Sequence, residues 1–183
     1  MIIGNKIILR EKQLADARND YTWEADPELA GLDAAPPVAM AFLRYLSDYA
    51  QELRNPLSTS CRFSIETPDG KHIGNCAYYN ISQTIGEAEL GIMIGIRDYW
   101  SKGYGNDAVG TLLNYIFLNT KLNRVYLKTL ESNARAQRCF QKNGFVPYGH
   151  IVKDGYNFML MEISRDQWKH RQNKTLGDTD ASR

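Results

Sequence analysis

Cysteine is scarce in this chain. Cys61, Cys76 and Cys139 are the only three among 183 residues, odd in number and far apart. That excludes a disulfide framework and a thiolate metal site, and it predicts a reducing, cytoplasmic setting. The three histidines, His72, His150 and His170, show no metal-ligand spacing either, so no metal is expected. An excess of one charge is also missing. Lys and Arg number 22 and Asp and Glu 21, a net charge of +1, which gives no electrostatic footprint for nucleic acid or an anionic membrane. No apolar run approaches the ~20 residues of a spanning helix. The segment Met1 to Arg10 lacks a basic leader and a small-residue cleavage site, and reads as a strand. What is present is ordinary for a globular protein: 43% apolar and 23% charged residues, in a length that suits one domain.

The apolar spacing changes along the chain. Residues 2–9 predict a first strand, and Gln13 to Trp23 a helix ended by Asp26-Pro27. A loop is expected to Pro36-Pro37, then a helix entered at Pro37. Its buried stripe would comprise Ala39, Leu43, Leu46, Ala50 and Leu53. Residues 62–66 and 73–79 flank Pro68-Asp69-Gly70 and predict a hairpin. Glu87 to Ile94 predicts a strand with Leu90, Ile92 and Ile94 on one face and Glu87, Glu89, Gly91 and Met93 on the other. A strong helix follows, marked by Ala108, Val109, Leu112, Leu113, Ile116 and Phe117. Next come a strand over 124–130, a helix over 133–142 stopped by Asn143-Gly144, and two last strands about Asp154-Gly155. The order predicts an α+β domain over residues 1–168, a mixed, largely antiparallel sheet of about seven strands with helices on both faces. Residues 169–183 are polar and without period, and predict a mobile tail.

The most informative stretch joins the 87–94 strand to the following helix through Trp100-Ser101-Lys102-Gly103-Tyr104-Gly105-Asn106. A helix N-terminus carries unpaired N–H groups and the positive end of the macrodipole, so it favours phosphate. Gly103 and Gly105 allow close backbone approach. No acidic residue follows at dinucleotide-fold spacing, and no Gly-Lys-Ser/Thr marks a nucleotide P-loop.

Three segments in order resemble the GNAT N-acetyltransferase superfamily. Glu89-Leu90-Gly91-Ile92-Met93-Ile94 with Tyr99-Trp100-Ser101-Lys102-Gly103-Tyr104-Gly105 is similar to its acetyl-CoA motif. Asn133-x-x-Ala136-x-x-Cys139-x-x-Lys142-x-Gly144-Phe145 is similar to its second cofactor segment. Tyr21-x-Trp23-x-x-Asp26-Pro27-Glu28 resembles the first-helix region of the branch holding ribosomal-protein N-terminal alanine acetyltransferases and small-molecule relatives. The resemblance covers residues 2–163.

It implies an acetyl-CoA-dependent N-acetyltransferase without metal, acting on a protein N-terminus or a small-molecule amine, as monomer or homodimer. Ile92, Met93 and Ile94 would pair with the pantetheine arm. Ser101, Lys102, Gly103, Tyr104, Gly105 and Asn106 would hold the pyrophosphate, with Asn133 bonding the cofactor as well as capping its helix. The motif aligns the thioester with the strand that carries Glu89, the expected general base; Glu87, two residues away on the same face, is its alternative. Phe140 stands where many members place the Tyr that protonates the leaving thiolate, which leaves that acid unassigned. The rival readings are a catalytically silent CoA-binding regulator and a nucleotide-binding switch. The latter lacks its acidic and Ser/Thr metal ligands.

Overall fold

The structure, a computed structural model, describes residues 1–180. Eight strands form one sheet: β1 (Ile2–Ile3), β2 (Ile8–Glu11), β3 (Ser60–Glu66), β4 (His72–Ser82), β5 (Glu87–Ile94), β6 (Arg124–Leu130), β7 (Val146–Lys153) and β8 (Tyr156–Ser164). Their spatial order is β1-β2-β3-β4-β5-β6-β8-β7. Every neighbouring pair is antiparallel except β5 and β6, which run parallel. Six helices accompany them: α1 (Ala17–Glu24), α2 (Pro27–Leu32), α3 (Phe42–Arg54), α4 (Tyr104–Asn119), α5 (Ala134–Lys142) and α6 (Arg165–Asp180).

Adjacent residues of β3 show that helices cover both faces. Ile65 is fully buried in the apolar cluster that Val109, Leu112, Leu113 and Ile116 of α4 complete. Its neighbour Ser64 points the other way and donates its hydroxyl to Asp16, just ahead of α1, at 2.8 Å. That second face carries a buried polar network in place of an apolar core. Arg10 grips Asp16 with two nitrogens at 2.7 Å each and Glu66 at 2.5 Å. Lys12 pairs with Asp20, which also accepts from Asn75 (2.8 Å) and the Tyr49 hydroxyl (2.9 Å). Burial works to raise the Asp16 carboxyl, but the bonds from Arg10, the Gln13 N–H and Ser64 outweigh it and hold the group well below its ordinary range. His72 lies within this network, with Nε2 2.9 Å from the Gly74 carbonyl, so its role is structural.

Several expectations need correction. The 2–9 strand is two strands, because Gly4-Asn5 turns the chain and the Gly4 N–H donates to Ile7 at 2.8 Å. Asp107 at the start of α4 accepts from the Lys6 and Ile7 N–H groups at 2.7 and 3.2 Å and fixes that turn. Eight strands therefore replace about seven. The loop expected before Pro36 contains α2. Pro27 opens it, and the Asp26 carboxylate caps it by accepting from Glu28 (2.9 Å) and Leu29 (3.1 Å). The next helix begins at Phe42 and not at Pro37, and Leu43, expected inside, is 78% exposed. Tyr49 takes the buried position, bonded to Asp20.

The stretch from Lys169, expected as a mobile tail, continues α6. Ser164 and Gln167 bond each other's backbone across the first turn, and Trp168 packs on Phe117 with ring centroids 5.4 Å apart. Gln172 reaches Asn114 at 3.1 Å and Arg171 the Lys142 carbonyl at 2.7 Å. Long polar residues form helix readily without an apolar period, which is why no pattern announced it. Residues 181–183 of that expected tail lie outside the described residues. No helix among the described residues is long and apolar enough to cross a membrane.

Candidate active site

The site arises where the two parallel strands part. β5 and β6 pair only through Glu87↔Arg124, Ala88↔Val125 and Glu89↔Tyr126. Beyond that point β5 continues to Ile94 on β4, and β6 continues to Leu130 on β8. The sheet opens as a wedge, and the β5 edge from Leu90 onward has no strand beside it. A cleft of about 570 Å³ fills the wedge.

One half of the cleft suits a long anionic thioester. Its walls include Leu90 to Ile94, Trp100, Ser101, Gly103, Gly105 and Asn106, then Asn133, Arg135, Arg138 and Lys142 from the start and face of α5. Trp100 donates its ring N–H to the Ile94 carbonyl at 2.6 Å, tying the turn to the end of β5. The Arg135 guanidinium lies 3.5 Å from the Trp100 ring centre. Ser101 and Gly103 adopt positive φ, +57° and +90°. Gly103 is the N-cap of α4, and no side chain caps that helix. Its first-turn N–H groups are thus open donors at the positive end of a 16-residue helix. A Cβ on Gly105 would stand 3.6 Å from Ile94 Cγ1 and 3.9 Å from Cys139 Sγ, ordinary contacts. The protein alone therefore does not require glycine there.

Eight of the ten residues expected to hold the cofactor line this half: Ile92, Met93, Ile94, Ser101, Gly103, Gly105, Asn106 and Asn133. Asn133 also caps α5, its side-chain oxygen accepting from Ala136 at 3.1 Å. Lys102 and Tyr104 do not line the cleft. The Lys102 carbonyl accepts from Lys6 Nζ at 3.0 Å, and the Tyr104 ring packs edge-on against Tyr99 with centroids 4.8 Å apart. Side chains flanking a tight turn point to alternate sides, so only part of the 101–106 run faces the wedge.

The other half is lined by Leu29, Leu32 and Asp33 from α2 and its end, Tyr79 from β4, Lys128 and Leu130 from β6, and Phe158 from β8. Glu89 sits at the parting point, 5% exposed. Lys128 Nζ lies 2.6 Å from its Oε1, and Asn80 donates to its Oε2 at 2.9 Å. Tyr79 also bonds it, and the phenol is pushed up by burial and by the glutamate's charge. Glu87 shares that face but not the cleft. It pairs with Arg124 at 2.7 Å, and Arg124 bonds Glu162 at 2.6 Å between the rings of Tyr126 and Tyr148. The two glutamates do not converge on one cleft. Neither is itself among the lining residues, but Glu89 is bonded to two that are, Lys128 and Tyr79.

Phe140 is 5% exposed on the cleft wall and packs edge-on against Phe145, so it presents no proton there. Cys139 is half-buried and lines the cleft, its thiol pushed up to about 11 by burial. It remains protonated at neutral pH. Among the described residues, no group of three or more His, Cys, Asp or Glu side chains is placed to hold a metal ion.

Sequence reasoning missed Lys128, Asn80 and Asp33. Alternation along 124–130 carried a signal for Lys128. Pairing Glu89 with Tyr126 sets every second residue of β6 on the Glu89 face. Asp33 had none, because its helix was read as loop.

Comparison with known proteins agrees with this geometry. The family model described as Acetyltransferase (GNAT) domain matches residues 6–146. An uncharacterised N-acetyltransferase, p20, of Bacillus licheniformis is 29% identical over 173 residues, covering 86% of this chain and 93% of that protein. The crystal structure of a spermidine N-acetyltransferase from Vibrio cholerae, in complex with CoA and spermine, superposes with a TM-score of 0.80 at 21% identity, covering 89% of this chain and 98% of that one. An aminoglycoside acetyltransferase in complex with coenzyme A gives 0.74 at 17% identity, covering 91% and 99%. The chain belongs to the GNAT acetyltransferase family, as an N-acyltransferase that takes its acetyl group from acetyl-CoA.

Proposed function

We propose that this enzyme acetylates a small-molecule primary amine, which enters through the half of the wedge lined by α2, Tyr79 and Phe158, and that Glu89 receives the amine's proton. The observation that carries the reading is the placement of a buried carboxylate at the point where β5 and β6 part. The open β5 edge lies on one side of it and a separate half-cleft on the other. The first-helix motif resembles a branch that also holds enzymes acting on protein N-termini. The names of the similar proteins above, which concern spermidine and aminoglycosides, favour the small-molecule acceptor.

Acetyl transfer needs a neutral nitrogen, a polarised thioester carbonyl and a proton for the departing sulfur. Those backbone groups of the Ile92–Ile94 stretch that point away from β4 fit a pantetheine arm laid beside β5, as a strand pairs with a sheet edge, while Trp100 holds the Ile94 carbonyl. The first-turn amides of α4 suit the pyrophosphate, with Arg135, Arg138 and Lys142 adding positive charge. A backbone N–H of β5 near the parting point would suit the developing oxyanion. Glu89 offers about four acceptor positions, three of them taken by Lys128, Asn80 and Tyr79, and the fourth takes the amine proton directly or through one water. Lys128 holds Glu89 in a fixed orientation.

Release of free CoA from acetyl-CoA, followed with a thiol reagent across a panel of primary amines, tests the reading. Turnover with at least one small amine, above a peptide with a free N-terminal alanine, is expected. No CoA release with any amine refutes it.

A further inference from the structure

Most carboxylates around the wedge are engaged. Glu89 pairs with Lys128, Glu87 with Arg124, and Asp26 and Glu28 both with Arg97. Asp33 is the exception, since no described residue hydrogen-bonds or ion-pairs its carboxylate although it lines the cleft. Its backbone is held firmly. The Asp33 N–H donates to the Leu29 and Ala30 carbonyls at 3.1 Å each, and Ala35 returns a bond to Ala30 at 2.9 Å. Ala34 between them takes a positive φ of +53°. The turn presents Asp33 beside Leu32 at the end of α2. Asp33 is exposed in the open cleft, and the desolvation it does experience raises its carboxyl above its ordinary range, which the charge of Lys128 opposes. A second cation beside Asp33 would oppose it further.

The charge balance of this half-cleft points the same way. Lys128 is matched by Glu89 behind it, which leaves the Asp33 carboxylate as the unbalanced charge on this half's lining. The nitrogen that attacks a thioester must be neutral, so the surplus charge does not serve that nitrogen. It serves one that stays protonated. Leu29, Leu32, Leu130 and Phe158 supply apolar walls for the methylene chain between two such nitrogens.

Resting on the small-amine reading above, we infer that Asp33 anchors a second, protonated nitrogen of the acceptor. The preferred substrates are then diamines or longer polyamines and not monoamines. Asp33 selects among amines by where it holds the far end of the molecule, while Glu89 handles the proton at the near end.

Calorimetric titration of the CoA-loaded protein with 1,4-diaminobutane and with 1-aminobutane tests this, using wild type, Asp33→Asn and Asp33→Glu. A charge-assisted hydrogen bond predicts that wild type binds the diamine roughly tenfold to a hundredfold more tightly than the monoamine. Asp33→Asn should abolish that advantage, and Asp33→Glu should restore part of it. Equal binding of both amines to wild type, or an advantage that survives Asp33→Asn, overturns the inference. So does an Asp33→Asn variant whose turnover falls equally for both amines with binding unchanged, which would make Asp33 a proton acceptor. An Asp33-dependent diamine advantage in a protein that releases no CoA with any amine would sustain the anchor and refute the acetyl-transfer reading.

Discussion

Gly105→Ala separates what the protein needs at the cofactor turn from what the ligand needs. Gly105 is the second residue of α4, with a φ outside the left-handed region, so alanine fits its backbone. The new methyl would meet Ile94 and Cys139 at ordinary contact distances of 3.6 and 3.9 Å. Alanine in a helix is favoured over glycine by about 0.5–1 kcal/mol, chiefly through the unfolded chain. For a chain of this length that predicts a melting temperature raised by roughly 1–4 °C. The same methyl sits among the first-turn amides, on a surface that lines the cleft. If it keeps a phosphate oxygen from one N–H, a charge-assisted bond of about 1.5–3 kcal/mol is lost. Acetyl-CoA affinity by calorimetry should then fall roughly tenfold to a hundredfold. A more stable protein with weaker cofactor binding is the expected pairing. Unchanged affinity would refute the assignment of this turn to the pyrophosphate.

Asp107→Ala removes the acceptor of two N–H groups in the β1–β2 turn and should cost about 1–2 kcal/mol in urea unfolding, with little effect on acetyl-CoA affinity. Lys128→Met leaves the buried Glu89 without its cation, though Lys128 is a third exposed, so about 1–3 kcal/mol is expected. Urea denaturation measures that deficit. Asp16 supplies a pH dependence. Its carboxyl is held below the unfolded value, so its contribution is present above about pH 4 and is lost as the pH falls through the folded value. Asp16→Asn should therefore flatten the acid limb of the stability curve.

The elements legible in the sequence are those whose signal is local. β6 was expected over 124–130 and runs Arg124–Leu130, because a strand with one buried face and one partly exposed face writes its own alternation. α5 was expected from Asn133, and the Asn133 side chain caps it. α2 was hidden because its Asp26-Pro27 start was read only as the end of the preceding helix, and six residues carry too little period to reveal it. α6 was hidden because its polar residues show no apolar stripe.

The candidate site divides the same way. Its cofactor half is a contiguous run with glycines at the bends, so most of its residues were named in advance. The acceptor half is assembled from α2, β4, β6 and β8, and its ion pairs depend on which strands become neighbours. Glu89 and Lys128 meet only because β5 and β6, joined through α4, pair in parallel from Glu87↔Arg124. The parting of those strands after Glu89 is a property of the sheet and is written in neither strand alone.

The central claim is that Glu89, at that parting point, takes the proton of the attacking amine. Steady-state CoA release by Glu89→Gln across pH 6–9, with the best amine of the panel, tests it when paired with acetyl-CoA affinity by calorimetry. A general base contributes ~10²–10⁴-fold, so turnover should drop by that order while affinity stays within about threefold of wild type. Near-normal turnover across that range, in a folded variant that binds acetyl-CoA normally, would contradict the account.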